Sequence, residues 1–219
     1  MQLSSARCAL VMTMALFGAC VCVPGQETPP ATESKGLPPR ASPAEYPVQA
    51  KAGAVTIAAE FVEHAVPTPD GAYSSEDYVV VEAGFFGPPQ ARITLTATDF
   101  SLRINGRKTA SPSQPYELVF KSLKDPEWEP PSSAKKSKTS LGGGGGDDSD
   151  STPAPVHMPI ERRRAMEQRV QKASMLEGDR ALPQAGLLFF EYRGKAKSIR
   201  SLELIYNGSA GTATLALQP

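Results

Sequence analysis

The sequence predicts a mainly β protein, an antiparallel β-sandwich with one α-helix in a long, partly disordered insertion. Three observations point there. Short apolar runs, alternating or continuous, recur along the chain and are closed by Gly, Pro or Asn-Gly turn signals. One stretch alone, Pro159 to Glu177, has the composition of a long helix. Strands do not alternate with helices, so a parallel βαβ sheet is not expected.

The N-terminus defines the compartment. Arg7 supplies a positive charge, and Cys8 to Val23 (CALVMTMALFGACVCV) then runs without any charge until Pro24-Gly25-Gln26 breaks it. A basic start, a short apolar stretch and small residues near a cut are the layout of a signal peptide, placed at residues 1–25. The run is short for a membrane span. The expectation is an exported protein, periplasmic or extracellular. All three cysteines, Cys8, Cys20 and Cys22, fall in this segment. A cut near Gly25 leaves no thiol for a disulfide, a nucleophile or a metal. Leu16-Phe17-Gly18-Ala19-Cys20 resembles a bacterial lipobox, which makes Cys20 the candidate for lipidation and a membrane-anchored form the alternative to a soluble one.

Residues 26–47 (QETPPATESKGLPPRASPAEYP) hold little to bury and read as a Pro-rich disordered linker. The domain then occupies 48–219, roughly 170 residues and enough for one core. The 219-residue chain carries 23 Lys plus Arg and 23 Asp plus Glu, so its net charge is zero. A nucleic-acid binder would show a basic excess, so no nucleic-acid partner is expected.

Within the domain, Ala54–Glu63 places Val55, Ile57, Ala59 and Phe61 on one face at period two. Pro67 to Gly71 is turn-rich, with Asp70-Gly71 as the turn. Asp77–Phe86 (DYVVVEAGFF) is β-branched and aromatic, and Gly87-Pro88-Pro89 ends it. Arg92–Leu95 is a short third strand. Asp99–Ile104 alternates Phe100, Leu102 and Ile104 and meets Asn105-Gly106, a strong hairpin signal. Tyr116–Phe120 is a strand or one helical turn. From about 129 to 157 the chain holds a five-glycine run and an acidic patch, a low-complexity insertion that cannot bury enough to order itself. Pro159–Glu177 is the helix, with Met166, Val170 and Ala173 as a thin apolar stripe and Gly178 as its stop. Ala185–Arg193, Ser198–Tyr206 and Thr212–Leu217 close the chain as strands, with Asn207-Gly208 and Gly211 at the last turn. Six or seven antiparallel strands at this spacing suit a sandwich of immunoglobulin-like type, without the Cys–Trp–Cys core of antibody domains.

Asp99 to Gly106 (DFSLRING), Ala185 to Phe190 (AGLLFF) and Ser198 to Tyr206 (SIRSLELIY) carry a family resemblance over about 60 residues. This pattern is similar to immunoglobulin-like domains of unknown function in exported bacterial proteins, which share a fold with the secreted mycobacterial immunoprotein. The resemblance implies a fold and no catalytic residue. The long polar insertion departs from its compact form.

The residues that could carry chemistry are few. His64 and His157 are the only histidines, and neither sits in a metal or triad pattern. Gly142–Gly146 runs into Asp147-Asp148, which would repel a phosphate. Asp147, Asp148 and Asp150 lack the register of a calcium loop. Asn207-Gly208-Ser209 has the form of a glycosylation acceptor and reads more simply as a hairpin turn. Phe85, Phe86 and Trp128 are candidate partner contacts unless the fold covers them. Arg162, Arg163, Arg164, Arg169 and Lys172 make the helix basic, which suits an acidic partner, a lipid surface or an ordinary solvated face. Arg162 and Arg163 are taken as its contact candidates. The expectation is a non-enzymatic binding or envelope-associated protein without cofactor or metal, whose partner is a protein or envelope component. The alternatives are a lipid-anchored accessory subunit of an envelope assembly, and a hydrolase that would need Glu60, Glu63 or His64 to converge in a pocket.

Overall fold

The computed structural model describes residues 36–128 and 157–219, all within one unit, Glu33–Pro219. Residues 1–35, which include the expected signal peptide, Cys20 and the start of the expected linker, and residues 129–156 of the expected insertion lie outside the described residues. In chain order the strands are β1 (Val48–Ala52), β2 (Val55–Phe61), β3 (Ala65–Thr68), β4 (Gly71–Ser75), β5 (Tyr78–Phe86), β6 (Arg92–Leu95), β7 (Phe100–Ile104), β8 (Ser111–Gln114), β9 (Leu123–Lys124), β10 (Gly178–Ala181), β11 (Gln184–Glu191), β12 (Leu202–Gly208) and β13 (Gly211–Leu217). A one-turn helix, α1 (Tyr116–Val119), precedes β9, and α2 (Ile160–Ala173) follows the insertion. The described residues are mainly β, their ladders are antiparallel, and they include one long helix. Among the described residues no helix is long and apolar enough to cross a membrane.

Eight strands form one sheet in the order β1-β2-β5-β11-β8-β7-β12-β13. Four-residue β8 is the joint. Its first half pairs with β7 (Ser101↔Pro112, Leu102↔Ser111) and its second half with β11 (Phe189↔Gln114, Phe190↔Ser113). A strand shared in this way turns the sheet back on itself, and the ends β1 and β13 come to lie side by side. The two limbs then enclose one apolar core. Ile57, Val81, Phe85, Leu188 and Phe190 come from one limb, and Phe100, Leu102, Leu204, Tyr206 and Leu215 from the other. Phe85, Phe100 and Tyr206 meet edge-on or tilted at its centre, with centroids 5.3–6.1 Å apart. The buried Tyr206 hydroxyl accepts the Ala210 N–H across the β12–β13 turn at 3.2 Å, so the ring enters the core without an orphaned polar group.

A second core lies on the other face of β5 and β11. Val80, Leu187 and Phe189 point there, and Met166, Val170 and Ala173 of α2 close over them with Val66, Tyr73 and Val119. These helix positions are the stripe that the sequence singles out. β5 and β11 are therefore buried on both faces, which is why Tyr78–Phe86 reads as a nearly continuous apolar run.

The structure corrects the sequence in four places. The helix ends at Ala173, four residues before Glu177. Ser174 turns extended, its hydroxyl donates to Val170 O at 2.7 Å, and Met175 N–H donates to Leu187 O at 3.0 Å, so β11 captures the chain that would have continued the helix. Residues 36–47 are packed rather than linker-like: Leu37 bridges Ala185 and Tyr46 is only 4% exposed. The strands number thirteen among the described residues: β3, β4, β8, β9 and β10 are short and too polar or Pro-containing to show a period, and β1 (VQAKA) alternates over only five residues beside a Pro-rich stretch. Tyr116–Phe120 takes the helical option, and residues 198–201 precede the strand that begins at Leu202.

The Met175 crossing explains a glycine. A Cβ on Gly186 would stand 2.4 Å from Met175 Cα and 2.6 Å from its nitrogen, a clash with backbone that no rotamer relieves. Gly186→Ala is expected to cost about 2 kcal/mol or more, read as a lower urea midpoint at unchanged slope. An unchanged midpoint would mean that the 174–175 segment is not held against β11.

Candidate functional site

The most connected polar cluster lies on the outer face of β2 and β5. Glu60 and Glu82 stand directly opposite each other in the β2–β5 ladder, and Glu82 is buried. Two like charges in that position repel. Arg40, from the segment ahead of β1, answers both. Its Nε and Nη2 donate to the two Glu82 carboxylate oxygens at 3.1 and 2.9 Å, Nη2 also bonds Glu60, and Nη1 donates to Glu45 O at 2.8 Å. Burial opposes the charge on Arg40, but the two carboxylates outweigh it and hold its pKa above the ordinary guanidinium value. The guanidinium lies 4.2 Å from the centre of the Tyr46 ring, a cation–π contact. That ring covers Gly84, where a Cβ would come within 2.7 Å of the Tyr46 hydroxyl, and meets Phe86 edge-on at 6.0 Å. The cluster is a clamp: every charged group has an internal partner.

A polar cleft of about 250 Å³ runs along the flank of α2, between the β3–β4 turn and the 125–127 loop. Arg162 Nε donates to Asp125 Oδ2 at 2.7 Å. Arg169 Nη1 donates to the Tyr73 hydroxyl at 2.8 Å and its Nε lies 3.7 Å from Asp70. The Asp125 side chain is only 7% exposed, and the hydrogen bond from Arg162 holds its carboxyl below the usual range against the opposing effect of burial. Arg163 pairs with Glu167 one turn on, at 3.1 Å. The contact candidates Arg162 and Arg163 are thus engaged within the domain.

The remaining sequence candidates fall in separate places. Phe85 is fully buried in the first core, so its side chain is not presented to a partner. Phe86 is half-buried, with the Tyr46 ring edge-on against it. Trp128 is half-buried at the edge of the described residues, where its backbone N–H donates to Asp125 O. Both His64 ring nitrogens face backbone carbonyls, Tyr78 O at 2.8 Å and Gly194 O at 2.9 Å, and the ring stacks on Tyr192. Glu60 and Glu63 border a cleft of about 240 Å³ that His64 does not line. His157 is exposed. Among the described residues no group of three His, Cys, Asp or Glu is placed to hold a metal ion.

A larger groove, about 420 Å³, opens where β8 and β11 diverge, walled by Gln114 and Tyr116 on one side and Gln171, Met175 and Leu176 on the other. Gln171 Nε2 donates to the Tyr116 hydroxyl across it at 3.0 Å. Its lining mixes apolar side chains with amides and with the charged groups of Glu117, Glu177 and Arg180. Comparison of the chain with protein-family models, curated proteins and solved structures gives no match.

The sequence missed Arg40 because it sits among Pro, Ser and Glu residues that read as linker. A signal existed in Glu82, an acid inside an otherwise apolar strand that calls for a buried partner.

The Tyr46 hydroxyl is buried without a hydrogen-bond partner, and burial, with the Glu82 carboxylate nearby, pushes its pKa up to about 12. An unfolded phenol titrates near 10, so the neutral ring favours the folded chain. That stability is present below about pH 10 and is lost as pH rises through 12. Tyr46→Phe is expected to be at least as stable as the wild type at neutral pH. Urea unfolding should show the wild type losing about 2 kcal/mol more than the variant between about pH 9 and 12. Parallel losses in the two proteins would contradict the burial of the phenol.

Proposed function

We propose that this protein is exported and non-enzymatic, a binding or envelope-associated protein built on an immunoglobulin-like β-sandwich domain. The observation that carries the reading is the N-terminal layout: Arg7, the uncharged run Cys8–Val23, and small residues ahead of Gln26. The fold assignment draws support from the two limbs, β1-β2-β5-β11 and β7-β12-β13, which share one core. The motifs that resemble immunoglobulin-like domains of exported bacterial proteins lie in β7, β11 and β12. The layer made by α2 departs from that compact pattern.

A non-enzymatic role is supported by how the polar side chains are used. His64 has both nitrogens against backbone carbonyls, and Glu60 and Glu82 are tied by Arg40. A general base must instead face the proton it removes. The partner is then a protein or envelope component that meets the domain through loops, strand edges or the groove beside Tyr116. The second reading is a lipid-anchored accessory subunit, favoured by the lipobox-like run ending in Cys20.

Intact mass of the protein recovered from its native host tests this. A chain starting near Gln26 without lipid is the expected result for a soluble exported protein. A chain starting at Cys20 with added acyl mass assigns the lipid-anchored form. The full chain from Met1, found in the cytoplasm, would overturn the export reading.

A further inference from the structure

The helix that looks basic in the sequence is not where free positive charge collects. Three of its arginines, 162, 163 and 169, pair with Asp125, Glu167 and Asp70. A different set of cations lies on two loops at one end of the sheet. The β7–β8 loop, residues 105–110 (NGRKTA), carries Arg107 and Lys108, and the β11–β12 loop, residues 192–201 (YRGKAKSIRS), carries Arg193, Lys195, Lys197 and Arg200. All six are exposed and neither loop contains an acid.

The two loops are joined by design of the turn. Asn105 and Gly106 both take positive φ, 53° and 65°, as a tight hairpin reversal requires. In that pose the Asn105 Oδ1 accepts the Arg200 and Ser201 N–H groups at 2.7 and 3.3 Å, its Nδ2 donates to Ser198 O at 3.2 Å, and its own N–H donates to Ser201 O at 2.9 Å. The 192–201 loop is itself braced. Ser198 N–H and hydroxyl both bond Lys195 O, and the Tyr192 and Ser198 hydroxyls meet at 2.6 Å. Arg107 and Arg193 consequently border one cleft. Asp77 and Glu191 are the acids that answer this set, and both lie on Arg193, at 3.5 and 3.6 Å. Arg107, Lys108, Lys195, Lys197 and Arg200 have no ion pair among the described residues.

We propose that this end of the domain docks on an anionic phospholipid bilayer. The chain as a whole is neutral, so attraction must be local, and at physiological salt it reaches about 8 Å. A sheet of headgroups meets cations spread over two loop tips all at once, each contributing about 1 kcal/mol near an anionic leaflet. A nucleic acid would call for a basic groove with exposed rings for stacking, whereas Tyr192, the aromatic residue of these loops, is half-buried against His64. The inference rests on the folded domain and stands whichever way the mass measurement falls.

The test is co-sedimentation of the full chain with vesicles of phosphatidylglycerol mixed with phosphatidylcholine, against pure phosphatidylcholine. The quantity read is the ratio of the two affinities, so any contribution of the run Cys8–Val23 is common to all variants and cancels. The wild type should favour the anionic vesicles, less so as salt rises. Replacing Arg107, Lys108, Lys195, Lys197 and Arg200 by Gln should lower the ratio at least about tenfold. Arg164→Gln with Lys172→Gln, exposed cations of α2, should leave it unchanged. Circular dichroism checks folding, and the smaller pair Lys195→Gln, Lys197→Gln should alone lower the ratio severalfold. Equal ratios for wild type and loop variant, an equal loss in the α2 variant, or binding to soluble polyphosphate without binding to vesicles would each overturn the proposal.

Discussion

Glu60 and Glu82 face each other across the β2–β5 ladder, and much of the packing on that side of the sheet depends on how their repulsion is met. Glu82 is buried, so water screens the pair from the Glu60 side alone. Arg40 supplies the counter-charge, donating to both acids and to the Glu45 carbonyl. One guanidinium thus fixes the path of residues 36–47, which brings the Tyr46 ring down on Gly84 and Phe86. Without it the segment would keep few reasons to stay on the sheet, since its Pro- and Ser-rich composition buries little else.

The same logic explains why β5 and β11 tolerate burial on both sides. The limbs of the sheet close one core over their inner faces, α2 covers Val80, Leu187 and Phe189, and the Arg40 segment covers the rest of β5. Three pieces of chain complete the free edge of β11: β8 pairs with its end, Met175 bonds its middle, and Leu37 bridges its start. Small residues mark the crossings. Gly84 makes room for a phenol and Gly186 for a backbone. The polar pairs of α2 serve the same end, holding the helix to Asp125, Tyr73 and Asp70, whereas five cations on the two loops at the end of the sheet have no ion pair among the described residues.

What the sequence made legible follows its physical signals. Alternating runs placed β2, β7 and β13, and continuous apolar runs placed β5 and β11, within one or two residues, because one-sided burial selects the first pattern and two-sided burial the second. The apolar stripe of α2 was legible for the same reason. The helix end was not, since Met175, Leu176 and Glu177 are good helix formers, and a tertiary partner, Leu187 O, draws Met175 away. Strands such as β8 (SPSQ) and β10 (GDRA) carry no periodicity, because they serve as joints and short edges rather than as core. Of the candidate site, the basic helix was visible but its internal partners were not. The cations of the two loops are 85 or more residues apart in sequence and meet only through Asn105. The Phe85-Phe86 pair resolved as alternation requires, with one ring in the core and the other covered, though by Tyr46, from a segment that composition alone reads as linker.

The central claim, that Arg40 holds the N-terminal segment by neutralising two opposed acids, is tested most directly by a double-mutant cycle in urea. Arg40→Met should cost about 3 kcal/mol, because Glu82 is left buried and unpaired beside Glu60. Adding Glu82→Gln should recover more than half of that loss, because the opposed charge is removed with its partner. A single variant within about 0.5 kcal/mol of the wild type, or two effects that simply add, would show that the network behaves as an ordinary surface ion pair and contradict the account.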